Sequence, residues 1–469
     1  MKLRLNFEMQ LSIYLVAFTV LSCTKDEVTE ISPNKVNYDQ FLGGNNSIIN
    51  SSENAFSFPS PGLTGMDELN FFVGNSFFNK NWVSAPASAT ARDGLGPTFN
   101  AKNCSSCHFK DGRGRPASFE GELGTGLLLR FSLGEESDGS PIHHPVYGSQ
   151  LQDDAILGVE AEGQLGITYL EESGGFPDGE VYSLRKPSYF VKNPKFGPLD
   201  NIKMSPRISR QLIGLGLLEA ISEEDILANE DELDADQNGI SGKANYVWDD
   251  LNQRYSLGRF GWKADQPSII QQTSKAFLRD IGITTPLYKI DNCPDEQIDC
   301  GNAENGGMPE IDSADFDKVI LYVSNLAVPA QRNPDDEIVQ KGKDLFKNIG
   351  CINCHDNTIT TSSHPIFPHF NNQSIQPYSD LLLHDMGEGL ADNMPVFEAT
   401  GSEWRTAPLW GIGLIETVNN HTYYLHDGRA RNLTEAILWH GGEAESIKLV
   451  FKSLSKLDRT ALITFLESI

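Results

Sequence analysis

Two five-residue runs constrain this chain more than anything else in it: Cys104–Ser105–Ser106–Cys107–His108 and Cys351–Ile352–Asn353–Cys354–His355. Two thiols spaced by two residues stand one turn apart, where they can add to the two vinyl groups of a haem. The histidine that follows is then held beneath the iron as its proximal ligand. Two such runs, each with its His, point to two covalently bound c-type haems. A four-cysteine zinc site built from both pairs is the competing chemistry, and it leaves His108 and His355 without a role. A thioredoxin-like redox pair needs a βαβ setting that is absent.

The other cysteines sort by compartment. Lys2 and Arg4 precede the apolar run LSIYLVAFTVLS at 11–22, and Cys23 follows at once. The run is too short to span a bilayer and reads as a lipoprotein signal peptide, residues 1–22, with lipidation at Cys23. The expected location is the envelope of a Gram-negative bacterium, lipid-anchored, periplasmic or on the outer-membrane surface. Cys293 and Cys300 flank the polar loop PDEQID and are expected to form a disulfide in such a compartment. Lys plus Arg number 37 against 64 Asp plus Glu, a net charge of −27. That excludes a nucleic-acid partner, which needs a basic face. It suits a basic redox partner, or simply a soluble surface.

Residues 23–60 are rich in Ser, Asn, Asp and Glu and are expected to form a flexible tether. Apolar spacing predicts helices over 315–327, ended by Pro329, over 334–349, ended by Gly350, and over the closing KLDRTALITFLESI. Gly and Pro punctuate 121–200, which reads as loops with some strands. A helix leading into the haem cysteines and a terminal helix packing across it form the core of a small cytochrome c. The expected fold is therefore mainly α, with two cytochrome c-like domains. The first, 61–333, is enlarged by a loop-rich insertion with some β; the second is 334–469. An internal repeat agrees with duplication: GLGLLEAI at 214–221 matches GIGLIETV at 411–418.

Residues 234–242, DADQNGISG, resemble the first part of a calcium loop: Asp234, Asp236 and Asn238 at alternate positions, then Gly239 and the carbonyl of Ile240. The glutamate expected at the twelfth position is missing, Asn245 standing there, and Asp249 or Asp250 are candidates to complete the shell. A turn without metal is the plainer reading. Trp262 is a candidate electron relay between haems or an ordinary core aromatic. His440 follows the helical stretch LTEAILWH; His426 lies in an HDG turn; His364, His369, His384 and His421 lie in polar loops.

The segments GLGPTFNAKNCSSCHFKDGRGRP, YGSQLQDDAI, ADQNGISGKANYVWD, LGRFGWKADQP and HDGRARNLTEAILWHGGEA resemble the bacterial diheme oxidoreductases, also labelled thiol oxidoreductase-like proteins, from about residue 65 to the C-terminus. That family is similar to diheme cytochrome c peroxidases. In those relatives the sixth ligand of the C-terminal haem comes fourteen residues after the HDG histidine, and here that spacing runs from His426 to His440. The relatives usually carry Met or Tyr at that place, so His440 implies bis-histidine ligation and a lower potential. The resemblance implies a peroxidase-like oxidoreductase in which electrons enter at the C-terminal haem and a small substrate such as hydrogen peroxide reacts at the N-terminal haem. The alternatives are an electron-transfer cytochrome without a catalytic haem and a surface lipoprotein that handles haem or iron. Laying Gly258–Arg259 on Gly428–Arg429 pairs His440 with Ile270, which is no ligand. His143, His144 and Met204 are the remaining candidates for the N-terminal iron.

Overall fold

Beside each cysteine loop lies a helix whose buried face carries a glycine and, one turn on, a phenylalanine. The computed structural model describes residues 38–119, 122, 124–355 and 358–469. The helices that frame the loops are α1 (Met66–Asn79), α2 (Ile269–Ala276), α3 (Ser313–Ser324), α4 (Glu337–Asn348), α5 (Leu433–Trp439) and α6 (Lys456–Ser468). α1 packs on α3 at Gly74, where an added methyl would fall 2.0 Å from the Lys318 carbonyl oxygen. α4 packs on α6 at Gly342, where it would fall 2.0 Å from that of Ala461. Glycine is required at both points because backbone meets backbone. One turn on, Phe78 lies 5.3 Å from Tyr322 and Phe346 lies 5.4 Å from Phe465, centroid to centroid. The same helix crossing is thus built twice.

Strands account for much of the rest. β1 (Leu127–Ser132) pairs antiparallel with β4 (Lys203–Ile208), and β2 (Gln164–Gly175) with β3 (Val181–Lys192). The β2–β3 hairpin lies against the second half of the chain. Arg185 of β3 stacks over Tyr169 and Tyr423 and donates to the Gly428 carbonyl, while Tyr189 donates to Asp427 at 2.8 Å. Arg459 of α6 reaches Asp178 and Glu180 in the hairpin turn. Part of the insertion in the first half therefore fixes the turn that precedes α5.

Two expectations need correction. The chain is not mainly α: helix makes up 29% and strand 19%, and two cytochrome c-like domains are not confirmed. The described residues form one compact unit, with the β2–β3 hairpin packing across the halves. Nor is 23–60 a tether throughout. Leu42, Ala55 and Phe56 are fully buried, and Ser47–Ile48 runs parallel to Val328–Pro329. The signal segment 1–22 and Cys23 lie outside the described residues. Among those described, no helix is long and apolar enough to cross a membrane.

Candidate haem sites

Both cysteine loops have one geometry. Each begins as a short 3-10 turn, and the histidine amide donates back to the first cysteine carbonyl, His108 to Cys104 at 2.9 Å and His355 to Cys351 at 3.0 Å. Phe78 stands 6.2 Å from the His108 ring at 54°, and Phe346 stands 6.1 Å from His355 at 52°. Nδ1 of His108 donates to the Arg210 carbonyl at 2.7 Å; Nδ1 of His355 donates to that of Tyr378 at 2.8 Å. Each bond fixes the ring and leaves Nε2 as the nitrogen for a metal. Burial pushes His108 down to about 4 and also lowers His355, so both imidazoles are neutral, the form that binds iron. Burial likewise raises the Cys107 and Cys351 thiols, each to about 12. The four cysteines do not come together: among the described residues the metal-competent group is Asp231, Asp234 and Asp236. A zinc site shared by the two pairs is thereby removed.

In the second half the pieces converge. Cys351, Cys354, His355 and His440 line one cavity, whose walls include Leu390, Ile412, Leu433, Ile437, Leu462 and Leu466. His440 caps the C-terminus of α5, and its Nδ1 donates to the Ala436 carbonyl at 2.7 Å. Burial pushes it down to about 4, so it too is neutral. Two neutral imidazoles, two thiols and an apolar wall suit a haem.

The first half repeats the segment that carries His440 but changes its end. The turn Phe260–Gln266 closes by an antiparallel bridge between those two residues, as Tyr424–Ala430 does. Gly261 and Ala264 have positive φ in one turn, Leu425 and Gly428 at the same places in the other. Ser268 then caps α2 by accepting from the Gln271 amide, and Asn432 caps α5 by accepting from that of Glu435. This register pairs Trp262 with His426 and His440 with Ala276. The pairing of His440 with Ile270 is therefore wrong by six residues, because matching one Gly-Arg pair ignored the turn geometry. The main chain also differs there: α2 continues into a π-helical turn, Phe277–Ile281, whereas α5 stops at Trp439.

Two of the other first-half candidates, Met204 and His144, are engaged elsewhere. Met204 pairs with Phe131 across the β1–β4 ladder and packs in a small separate core. His144 Nδ1 accepts from the Val146 and Tyr147 amides. Burial, followed by the charges of Arg279, Arg130 and Lys275, pushes His143 down to about 4, so it is a neutral imidazole and stays a candidate.

Trp262 and His426 face each other between the halves, ring centroids 6.5 Å apart. Trp262 donates to the Ile208 carbonyl and lines the cavity of the second half. The Arg210 guanidinium lies 4.8 Å from its ring, while the Arg210 carbonyl holds His108. One residue thus touches both sites.

Sequence reasoning missed His384. It is buried on the cavity wall and bridges Asp380 and Glu443, each at 2.8 Å. Burial alone would lower its pKa, but the hydrogen bonds to Asp380, Cys354 and Glu443 outweigh it and raise it well above the ordinary value. Glu443 also accepts from the amide and hydroxyl of Ser241, at the end of the acidic loop. In that loop Asp231, which the motif did not include, joins Asp234 and Asp236 with carboxylate oxygens within 4.8 Å. Asn238 instead donates to Asp236 and accepts from the Ile240 amide. Asn245, Asp249 and Asp250 are engaged elsewhere, with the Lys263 carbonyl, the Asn252 amide and the Tyr288 hydroxyl respectively. Cys293 and Cys300 are joined as a disulfide.

No curated protein matches the chain. Residues 40–469 match the family described as di-haem oxidoreductase, putative peroxidase, which implies two haems per chain. With both cysteine-histidine loops inside that span, the chain belongs to the di-haem oxidoreductase family.

Proposed function

We propose that the chain is a c-type diheme peroxidase. Cys104, Cys107 and His108 would hold one haem; Cys351, Cys354, His355 and His440 would hold the other. When bound, haem would supply electron transfer and peroxide reduction. The reaction is hydrogen peroxide plus two electrons and two protons giving two waters, with the electrons from a redox protein. In this reading electrons enter at the C-terminal haem and the substrate reacts at the N-terminal one. The observation that carries it is the asymmetry of the repeat, His440 in one half and Ala276 at the matching place in the other.

The remaining side chains orient and insulate. The carbonyls of Arg210, Tyr378 and Ala436 accept hydrogen bonds from Nδ1 of His108, His355 and His440, which would leave Nε2 of each available to a metal. Leu433, Ile437 and Leu462 keep water from the second cavity. Calcium at Asp231, Asp234 and Asp236 is a further part of the reading, supported by their clustering beside the Ser241–Glu443 contact. So are export, lipidation at Cys23 and a place in the cell envelope, in keeping with a disulfide elsewhere in the chain. Mass spectrometry of the mature protein tests attachment. Two covalent haems are expected in the native chain and one in Cys104→Ser/Cys107→Ser; unmodified cysteines in both loops overturn it.

A further inference from the structure

The cavity that holds His355 and His440 has a charge its own walls do not balance. Arg113, Arg210, Arg405 and Lys448 line it, Lys448 paired with Glu445 at 2.6 Å, and among the described residues no Asp or Glu lines it. Arg113 is 7% exposed and Arg405 3%. Their polar contacts are main-chain carbonyls: Arg113 to Leu425, and Arg210 and Arg405 both to Gly261, at 3.3 and 3.1 Å. Nε of Arg113 and Nη1 of Arg405 are buried with no partner. The acids whose fields reach them are paired with other groups: Asp265, near Arg210 and Arg405, with Arg207 at 3.8 Å, Asp380, near Arg405, with His384 at 2.8 Å, and Asp427, near Arg113, with Arg429 at 2.8 Å. Burial lowers the pKa of all three arginines, Arg113 and Arg405 to about 10, yet guanidinium stays charged near neutral pH. Arg113 and Arg405 are buried, Arg210 is half-buried, and their hydrogen bonds go to carbonyls rather than carboxylates; buried charge without a direct partner is costly, so this end of the cavity suits anions.

We propose that Arg113, Arg210 and Arg405 are the carboxylate-binding end of this cavity and take the two propionates of the C-terminal haem. Guanidinium forks match carboxylates in shape and charge, and the two unpartnered nitrogens supply donors ready for them. Arg113 and Arg210 also lie over the face of Trp262, 5.3 and 4.8 Å from the ring. The propionate edge is thereby directed to the side where the halves meet. This rests on the assignment of that haem to His355 and His440.

Spectroelectrochemistry and resonance Raman spectroscopy of the holoprotein test it. Arg405→Gln and Arg113→Gln should each lower the reduction potential of the His/His haem, since a lost cation favours the oxidised state. They should also shift its propionate bending vibrations. Arg405→Lys keeps the charge and is the milder change for folding; it should hold the potential near that of the native protein and still shift the vibrations. Unchanged potential and vibrations in the glutamine variants, or unchanged vibrations in Arg405→Lys, would overturn the proposal. His440→Ala checks the underlying assignment separately. If it changes the coordination of that haem while the arginine variants change nothing, the arginine proposal alone fails; if it leaves the coordination intact, both fail.

Discussion

Ala276 stands in the first half where His440 stands in the second, each eight residues past the helix-capping residue, Ser268 to Ala276 and Asn432 to His440. The turns before the caps share bridges and positive-φ positions, so the correspondence rests on backbone rather than on residue identity. One copy ends its helix on an imidazole; the other ends on a methyl group and runs on into a π-helical turn. π-helical turns often mark functional sites.

The helix crossings give the first prediction. Gly342→Ala and Gly74→Ala each press a methyl against a carbonyl oxygen of the partner helix. Each should cost about 3 kcal/mol, near the top of the usual range for overpacking. Gly301 has nothing within 4 Å of an added methyl, and Gly301→Ala should stay within about 0.5 kcal/mol of the native protein. Equilibrium denaturation of the three variants checks this.

Much of the two loops was legible because Cys-x-x-Cys-His is a local signature that needs no tertiary context. The helices over 313–324, 337–348 and 456–468 were legible from apolar spacing, since each buries one face. The register between halves was not. Side chains in the matched turns have exchanged charge: Lys263 answers Asp427, and Asp265 answers Arg429. Each is satisfied locally, Lys263 by Asp392 at 2.9 Å and Asp427 by Arg429 at 2.8 Å. A polar composition likewise hid the packing of 42–60, where a few apolar residues, among them Phe56 against Gly411, fix the segment. His384 looked like a loop histidine because its partners Asp380 and Glu443 come from two separate segments.

The second prediction concerns pH. Glu162 is buried, and desolvation raises its carboxyl to about 8, against hydrogen bonds from the Gln152 amide and Gln297 that favour the charged form. A carboxyl whose folded pKa lies above its unfolded value binds its proton more tightly in the folded state. Stability from this group is therefore full below about pH 4.5 and falls as pH rises to about 8. Thermal melts should show Glu162→Gln losing less stability than the native protein between pH 5 and 8. Equal losses would assign the slope to other groups.

Metal removal gives the third. If calcium occupies the Asp231–Asp234–Asp236 group, a chelator should lower the melting temperature, because an ion that binds only the folded chain stabilises it. At a hundred-fold excess over Kd that amounts to about 2.7 kcal/mol. Asp234→Asn should melt like the chelated protein and ignore further chelation. An unchanged melt, with no calcium by elemental analysis, would reject the site.

The central claim is that the two irons differ because Ala276 cannot do what His440 does. The most direct measurement is carbon monoxide titration of the fully reduced protein, followed by absorbance. One carbon monoxide bound per two haems is expected in the native chain, and two in His440→Ala. A native protein whose haems both stay six-coordinate and low-spin, refusing carbon monoxide and cyanide even after partial reduction, would contradict it and leave an electron carrier in place of a peroxidase.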